Sequence, residues 1–332
     1  MRRRALVLLV LALGVALALT AAAHAGNGGF APETPHSPNA SRINDSYKLI
    51  ALLTGIILVV VDTALIWFVV KYRARGRARS VEGPQIHAHA RLELIWTAVP
   101  VLILAIIAAF VFYKLPGIKN VPSASAQGGS PLMIRVEAHQ FYWQFDYPNG
   151  AVSIDELHAP YGQTVRVDIT SHDVDHSWWV PELGGKFDAI PGRTTHTWFR
   201  ADKIGTYRGQ CGEYCGVFHA EMQARVIVSS AADYSNWTES AAAAQLGKSE
   251  WTGVCAKCHG LTGGGGYGPQ IKANQLLVQT QGLRTLMVNG QNVIRPLSSY
   301  MPPVARGWSD EQFRALFAYL KQHVYTGTAS GG

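Results

Sequence analysis

Charge and sulfur are both scarce in this chain. Only 15% of its 332 residues are Asp, Glu, Lys or Arg, and it holds four Cys and five Met. So low a charge, with a slightly positive mean hydropathy, argues against a wholly soluble protein and for membrane segments joined to soluble modules. Four Cys are too few for a disulfide-dense scaffold. Two disulfides would be the ordinary reading in an exported chain, but all four fall inside two motifs that carry other ligand types. No phosphate loop, general base or activated nucleophile appears, which excludes independent catalysis of the common hydrolytic or phosphoryl-transfer kinds. The net charge of +7 does not point to nucleic acid. Arg2, Arg3 and Arg4 open the chain, and Lys71, Arg73, Arg75, Arg77, Arg79 and Arg91 flank apolar runs, the usual mark of the cytoplasmic side of a membrane.

What is present falls into four stretches. Residues 1–25 read as a signal peptide: three Arg, an apolar run over 5–19, and Ala23-His24-Ala25 as a small-x-small cleavage site. Residues 41–115 read as a helical hairpin with two apolar runs, 49–70 and 92–113, each long enough to cross a bilayer core of about 30 Å. The basic loop between them sets both long flanks outside the cytoplasm. Asp62 and Glu93 are acids in or at these runs, where ionisable groups are costly and therefore functional candidates; Glu93, near a run's end, has the alternative of simply reaching the headgroups.

From residue 131 to 230 the texture changes to short alternating runs such as Met133-Ile-Arg-Val-Glu137, Thr164-Val-Arg-Val-Asp-Ile169 and Ala224-Arg-Val-Ile-Val228, separated by turn signals. This predicts an antiparallel β-sandwich or barrel. From about Ala231 the pattern becomes helical, and a small all-α domain fits residues 240–325. Ser309, with Gln312 three residues on, predicts a capping box before the stripe Phe313, Leu316, Phe317 and Leu320. The Ala- and Ser-rich stretch 231–247 is expected to act as a linker that lets this domain swing or dock.

Chemistry concentrates in Cys211-Gly-Glu-Tyr-Cys215-Gly-Val-Phe-His219-Ala-Glu-Met222, with an isolated His176 upstream in Asp173-Val-Asp-His176-Ser. Soft sulfur with imidazole is a ligand set for copper. A mononuclear blue-copper loop needs one Cys; the second argues for two coppers bridged by the thiolates of Cys211 and Cys215. His176 and His219 would each complete one copper, with Met222 as a weak axial ligand. His139, His158, His172 and His196 lack a thiol neighbour and read as structural, with His172 the nearest competitor to His176.

The second motif is Cys255-Ala-Lys-Cys258-His259, the pattern for covalent haem c. His259 would be one iron ligand. Of the two Met within this domain, Met287 sits in an apolar helical pattern and reads as core, whereas Met301 lies in Ser299-Tyr-Met-Pro-Pro303 and is the expected second axial ligand. His323 is the bland alternative.

These motifs make the chain resemble subunit II of haem–copper cytochrome c oxidases over about residues 41–230. The matching stretches include Ile95-Trp-Thr-Ala-Val-Pro100, Gln140-Phe-Tyr-Trp143, Thr170-Ser-His-Asp-Val-Asp-His176, Asp188-Ala-Ile-Pro-Gly-Arg193 and the Cys211 to Met222 loop. The helical domain resembles class I cytochromes c, as in caa-type oxidases. The resemblance implies a multidomain membrane protein with a two-helix hairpin, a cupredoxin-like sandwich and an all-α cytochrome c domain. It implies a binuclear copper centre, called CuA, on His176, Cys211, Cys215, His219 and Met222, with the backbone carbonyl of Glu213. It further implies a magnesium ion shared with subunit I at the Glu213 carboxylate, and a proton-channel entrance at Glu93. The family often has Trp where this chain has Phe141, at the surface where electrons arrive from soluble cytochrome c; with Trp143 nearby, the change fits delivery from the attached haem domain.

The expected function is therefore transfer of electrons from an external donor, a cytochrome c or a membrane complex, through haem c and CuA. They would pass to subunit I, where oxygen is reduced and protons are pumped. The partners would be subunit I, the other oxidase subunits and the lipid bilayer of a bacterial cytoplasmic membrane, with both metal domains on the periplasmic side. One alternative is the electron-receiving subunit of a CuA-containing nitric oxide or nitrous oxide reductase. Another is a membrane copper chaperone, which would leave the haem motif and Met222 without a role. The copper ligands exclude a quinol oxidase subunit.

Overall fold

The computed structural model describes residues 32–73, 88–123, 129–291 and 301–327. The expected signal peptide, most of the basic loop and the start of the Met301 motif lie outside them. Two helices come first, α1 (Pro38–Tyr72) and α2 (Ala90–Lys119), each long and apolar enough to cross a membrane. The start of α1 is tied to the end of α2. Lys114 Nζ donates to Asp45 Oδ2 at 2.7 Å, and Arg42 Nη1 donates to the Gly117 carbonyl at 3.2 Å. Later residues of α2 thus meet earlier residues of α1, so the pair runs antiparallel. Glu93 accepts a hydrogen bond from the His89 backbone N–H at 2.9 Å, satisfying one of the unpaired donors that open α2.

The second compact unit contains everything after Ile118. Among the described residues, ten strands form two five-stranded sheets, ordered β3-β2-β1-β5-β8 and β4-β10-β9-β6-β7. The first sheet comprises β1 (Leu132–His139), β2 (Tyr142–Asp146), β3 (Val152–Ile154), β5 (Val165–Ser171) and β8 (Thr195–Phe199). The second comprises β4 (Glu156–Pro160), β6 (His176–Trp179), β7 (Phe187–Ala189), β9 (Gly205–Cys211) and β10 (Gln223–Ser229). Neither sheet is purely antiparallel, as the alternation alone suggested: β1 runs parallel to β5, and β4 to β10. In each case the partners are separated by several other strands, which gives the chain the length a parallel crossover needs. The sandwich core is the shared inner face, with Ile134, Val136, Trp143, Leu157, Val167 and Val226 nearly or fully excluded from solvent.

After β10 the chain is helical from Ala231 to His259, through α3 (Ala231–Asn236), α4 (Ala242–Glu250) and α5 (Ala256–His259), with π-helical turns between them. The expected swinging linker is therefore a helix anchored on the sandwich. Trp237 stacks on His158 at 3.8 Å and meets the Tyr147 ring edge-on at 5.0 Å. Helices α6 (Thr280–Asn289) and α7 (Asp310–Tyr319) complete the domain. The capping box at Ser309 and Gln312 forms as the sequence specifies, and Phe313, Leu316 and Leu320 are buried. The core of this domain is not purely its own: Tyr142 and Ile154 of the sandwich are members of it.

Candidate functional site

Alternation along β9 turns Tyr207, Gly209 and Cys211 inward. The Cys211 N–H donates to the Met222 carbonyl at 3.0 Å, closing the ligand loop at its base where β9 meets β10. Pairing of Trp178 with Cys211 brings the neighbouring strand β6, and with it His176, alongside. The loop then folds back over a short helical turn at His219–Glu221.

The outcome is one cluster of soft donors. His176, Cys211 and Cys215 are buried with their ligand atoms all within 4.8 Å of one another. Cys211 Sγ lies 3.8 Å from His176 Nδ1 and 3.2 Å from the Glu213 carbonyl. Cys215 Sγ lies 3.6 Å from His219 Nδ1 and 3.8 Å from Met222 Sδ. Each sulfur thus has its own imidazole and one weak donor. Neither Cys is in a disulfide. Asp173 Oδ1 sits 2.8 Å from His176 Nε2; a carboxylate only accepts, so Nε2 carries the proton and Nδ1 is left with its lone pair toward the sulfur. The hydrogen bond between the two thiols holds Cys211 below the usual thiol range, while it and burial push Cys215 up. Two thiolate-capable sulfurs, two oriented imidazoles, a thioether and a carbonyl fit a two-copper group. The Glu213 carboxylate points elsewhere, to Lys186 Nζ at 3.5 Å.

His172 does not join this cluster. Its Nε2 pairs with Glu137 Oε2 at 2.7 Å, and its ring stacks on His139 at 4.7 Å. Glu137, His139 and His172 lie close enough to suggest a second ligand group. The imidazoles, however, meet face to face and not by their nitrogen edges, and Arg135 already holds the other Glu137 oxygen at 2.8 Å. His139 is 1% exposed with neither ring nitrogen partnered; burial drives its pKa down to about 3, so it is neutral.

The second site is a cavity of about 250 Å³ in the helical domain, lined by Cys255, Cys258, His259 and Met301. Its walls are apolar, with Leu283, Met287, Leu316 and Leu320 among them. Met287, expected as core, is buried and faces this cavity. His323 lies on the exposed last turn, against Tyr319. His259 Nδ1 donates to the Pro269 carbonyl at 2.8 Å, which leaves Nε2 free as a ligand. Burial raises both thiols, Cys255 to about 12, as suits sulfurs destined for thioethers and not for thiolate chemistry. An apolar cavity bordered by two unpaired Cys, an oriented His and a Met fits covalent haem.

Two residues join the two sites: Phe141, singled out in the sequence as an electron-arrival point, and Gln140, whose part no local pattern marked. Gln140 and Phe141 belong to the sandwich, yet both line the cavity. Gln140 Nε2 donates to the Cys215 carbonyl at 2.6 Å. Phe141 is 8% exposed, with Phe218 edge-on at 5.5 Å. Trp143 is sealed inside the sandwich between the His176 and Trp178 rings. The signal for this junction in the sequence was Phe141, where the resemblance implied a Trp.

Comparison with known proteins matches three stretches of the chain to family models. Residues 27–113 match the model for the cytochrome c oxidase subunit II transmembrane domain, and 152–230 that for its periplasmic domain. Residues 242–320 match cytochrome c oxidase, cbb3-type, subunit III. Cytochrome c oxidase subunit 2 of Alkalihalophilus pseudofirmus is 30% identical over 307 residues, covering 86% of this chain and 89% of the relative. The subunit 2 of Cereibacter sphaeroides is 31% identical over 257 residues, covering 65% of this chain and 80% of the relative. The crystal structure of the periplasmic domain of subunit II of cytochrome oxidase of Bradyrhizobium japonicum is 33% identical, covering 37% of this chain and 96% of that one, at a TM-score of 0.34.

Proposed function

The chain belongs to the cytochrome c oxidase subunit II family, and on that premise we propose that it receives electrons from an external donor on a haem c and hands them to a binuclear copper centre. His176, Cys211, Cys215, His219 and Met222, with the Glu213 carbonyl, hold the copper pair. Cys255 and Cys258 attach the haem, and His259 and Met301 ligate its iron. When bound, these groups supply one-electron carriers, and oxygen reduction with proton pumping belongs to subunit I. The protein's own part is to keep ligands from moving as charge changes. Asp173 fixes the His176 tautomer, Pro269 fixes that of His259, and the sandwich excludes water from both copper sulfurs. Both domains lie on the periplasmic side. Glu93 marks a proton-channel entrance, and the Glu213 carboxylate, which meets Lys186 in this chain alone, would turn to a magnesium ion shared with subunit I.

The observation that carries this reading is the paired geometry at the sulfurs, one imidazole and one weak donor to each. It speaks against a copper chaperone, which needs labile copper and has no use for a second, apolar cavity lined by Cys255, Cys258 and His259. Electron paramagnetic resonance on the full chain in detergent tests it. Hyperfine structure from one electron shared by two copper nuclei is expected. A signal from a single copper, or copper lost to a mild chelator, overturns the assignment. Oxygen consumption by the assembled complex, compared with consumption of nitric and nitrous oxide, separates the oxidase from the reductases.

A further inference from the structure

The residue between the two haem-attaching cysteines does not face solvent. Lys257 Nζ donates to Asp155 Oδ2 at 2.6 Å and to the Phe141 carbonyl at 2.8 Å, both in the sandwich domain. The side chains of Lys257 and Asp155 are 19% and 17% exposed. Asp155 is held for this contact by the sandwich itself: its other oxygen accepts the Trp143 N–H at 2.9 Å, and its φ of 58° is a left-handed conformation in a non-glycine residue. A charge this sheltered is costly unless its partner stays in place. The two domains also interlock away from Lys257. Tyr142 Oη donates to the Val304 carbonyl at 2.5 Å and accepts from Trp308 Nε1 at 2.8 Å. Gln312 Nε2 donates to Gln144 Oε1 at 2.9 Å, both side chains buried. Gly253 approaches Ile154 so closely that a Cβ would lie 2.5 Å from its Cγ2.

The turn that Lys257 grips is the one that touches both sites. Gln140 and Phe141 line the haem cavity, and Gln140 bonds to the backbone of Cys215. We propose that Lys257 is a positioning residue: paired with Asp155, it clamps the haem domain onto the Gln140–Phe141 turn, which forms the short contact between haem cavity and copper loop. This rests on the electron-transfer reading above. The exchange it serves moves one electron, lost by ferrous haem iron, which becomes ferric, and gained by the oxidised copper pair. No bond is made or broken and no proton moves; the external donor restores the ferrous state. A consequence is that a soluble donor meets this chain at the haem domain, because the Phe141 patch is already covered by that domain.

The test uses the purified oxidase carrying the full chain, unaltered or as K257M, D155N or K257R. Two readouts are needed: amide hydrogen exchange of the 140–144 segment, which needs no turnover, and the rate of haem-to-copper electron transfer after flash reduction. Copper resonance and haem absorption spectra report whether both sites remain intact. K257M and D155N are each expected to speed exchange at 140–144 by about tenfold and to slow transfer by about tenfold with both spectra unchanged, while K257R restores most of both. Exchange and transfer within twofold of the unaltered chain in both variants overturns the clamp alone. No transfer in the unaltered chain with both sites loaded overturns the electron-transfer reading beneath it. If K257M fails to assemble, K257M/D155N removes both charges and leaves no buried ion unpaired; slowed transfer in that variant supports the clamp, and an unchanged rate overturns it.

Discussion

The loop proposed to hold copper and the cavity proposed to hold haem would solve the same problem, keeping a redox group still, from opposite directions. The copper ligands come from β6, the end of β9 and the loop to β10, and a sheet that is already paired and packed brings them together. Its sulfurs touch their partners before any metal is considered. The haem ligands begin as a local motif and end at a distant loop, and between them lies a cavity of about 250 Å³ where a core would otherwise be. The first site is an addition to a finished fold. The second is a fold whose interior a bound group would complete.

The sharpest way to break this comparison is to remove each group by one kind of change. Replacing both Cys255 and Cys258 by Ser should leave the helical domain hollow. At about 24 cal/mol per Å³, an empty cavity of 250 Å³ costs at most about 6 kcal/mol, comparable to the whole stability of a small domain. Loss of cooperative unfolding for the helical domain, read by circular dichroism in denaturant, is expected, with the sandwich retained. If the helical domain melts as before, the cavity is not the weak point. Cys215→Ser is the matching change at the other site. Copper affinity should fall by more than the roughly 100-fold that loss of a supporting residue costs, while the sandwich loses no more than about 1.5 kcal/mol. A collapse of the sandwich in this variant would show that its copper loop is as ligand-dependent as the haem cavity.

The same contrast decides what could be read from the sequence. The capping box at Ser309 is a local pattern and forms as written. The Cys211 to Met222 loop is local too, and the fixed spacing of one hairpin brings Cys215, His219 and Met222 together. The two parallel strand pairs could not be read, because alternation reports which face a residue takes and not which strand lies beside it. The 231–247 stretch looked like a linker because Ala and Ser are small and polar enough for one. Its attachment depends on Tyr147 and His158, about eighty residues earlier, which no local pattern connects to Trp237. Lys257 was silent for the same reason: its partner Asp155 is a hundred residues away in an unremarkable turn.

Two buried carboxylates extend the contrast. In the helical domain Glu250 is fully buried, and burial pushes its carboxyl up to about 9. Its folded pKa lies above the unfolded value, so the native state holds a proton that the unfolded chain releases. Stability is therefore lost as pH rises from about 4.5 toward 9. At pH 7 the cost is about 3 kcal/mol, at 1.36 kcal/mol per unit over the 2.5 units from the unfolded value. Glu250→Gln should recover most of it and flatten the pH dependence of unfolding. An unchanged slope would mean that the carboxyl is solvated in the folded chain.

In the sandwich the corresponding acid is paired. Burial raises the pKa of Glu137, but the hydrogen bond and charge of His172 and the nearby Arg135 outweigh it, and the net shift is downward. His172 is shifted upward, first by that same hydrogen bond to Glu137. The stability gained through His172 is complete below its unfolded value of 6.5 and is lost as pH rises through its folded value. The part gained through Glu137 is present above 4.5 and lost as pH falls through its folded value. The neutral His139 ring and Asp173 face the pair as well; neither reverses the sign. His172→Gln should therefore cost about 1 kcal/mol near pH 6, discounted for the solvent that reaches its partly exposed side chain, and almost nothing well above the folded pKa of His172. Unfolding midpoints of the two chains that converge as pH rises would mark the sandwich as a scaffold stabilised by its own ion pair. Curves that stay parallel would mean that this carboxylate, like Glu250, draws nothing from its neighbour.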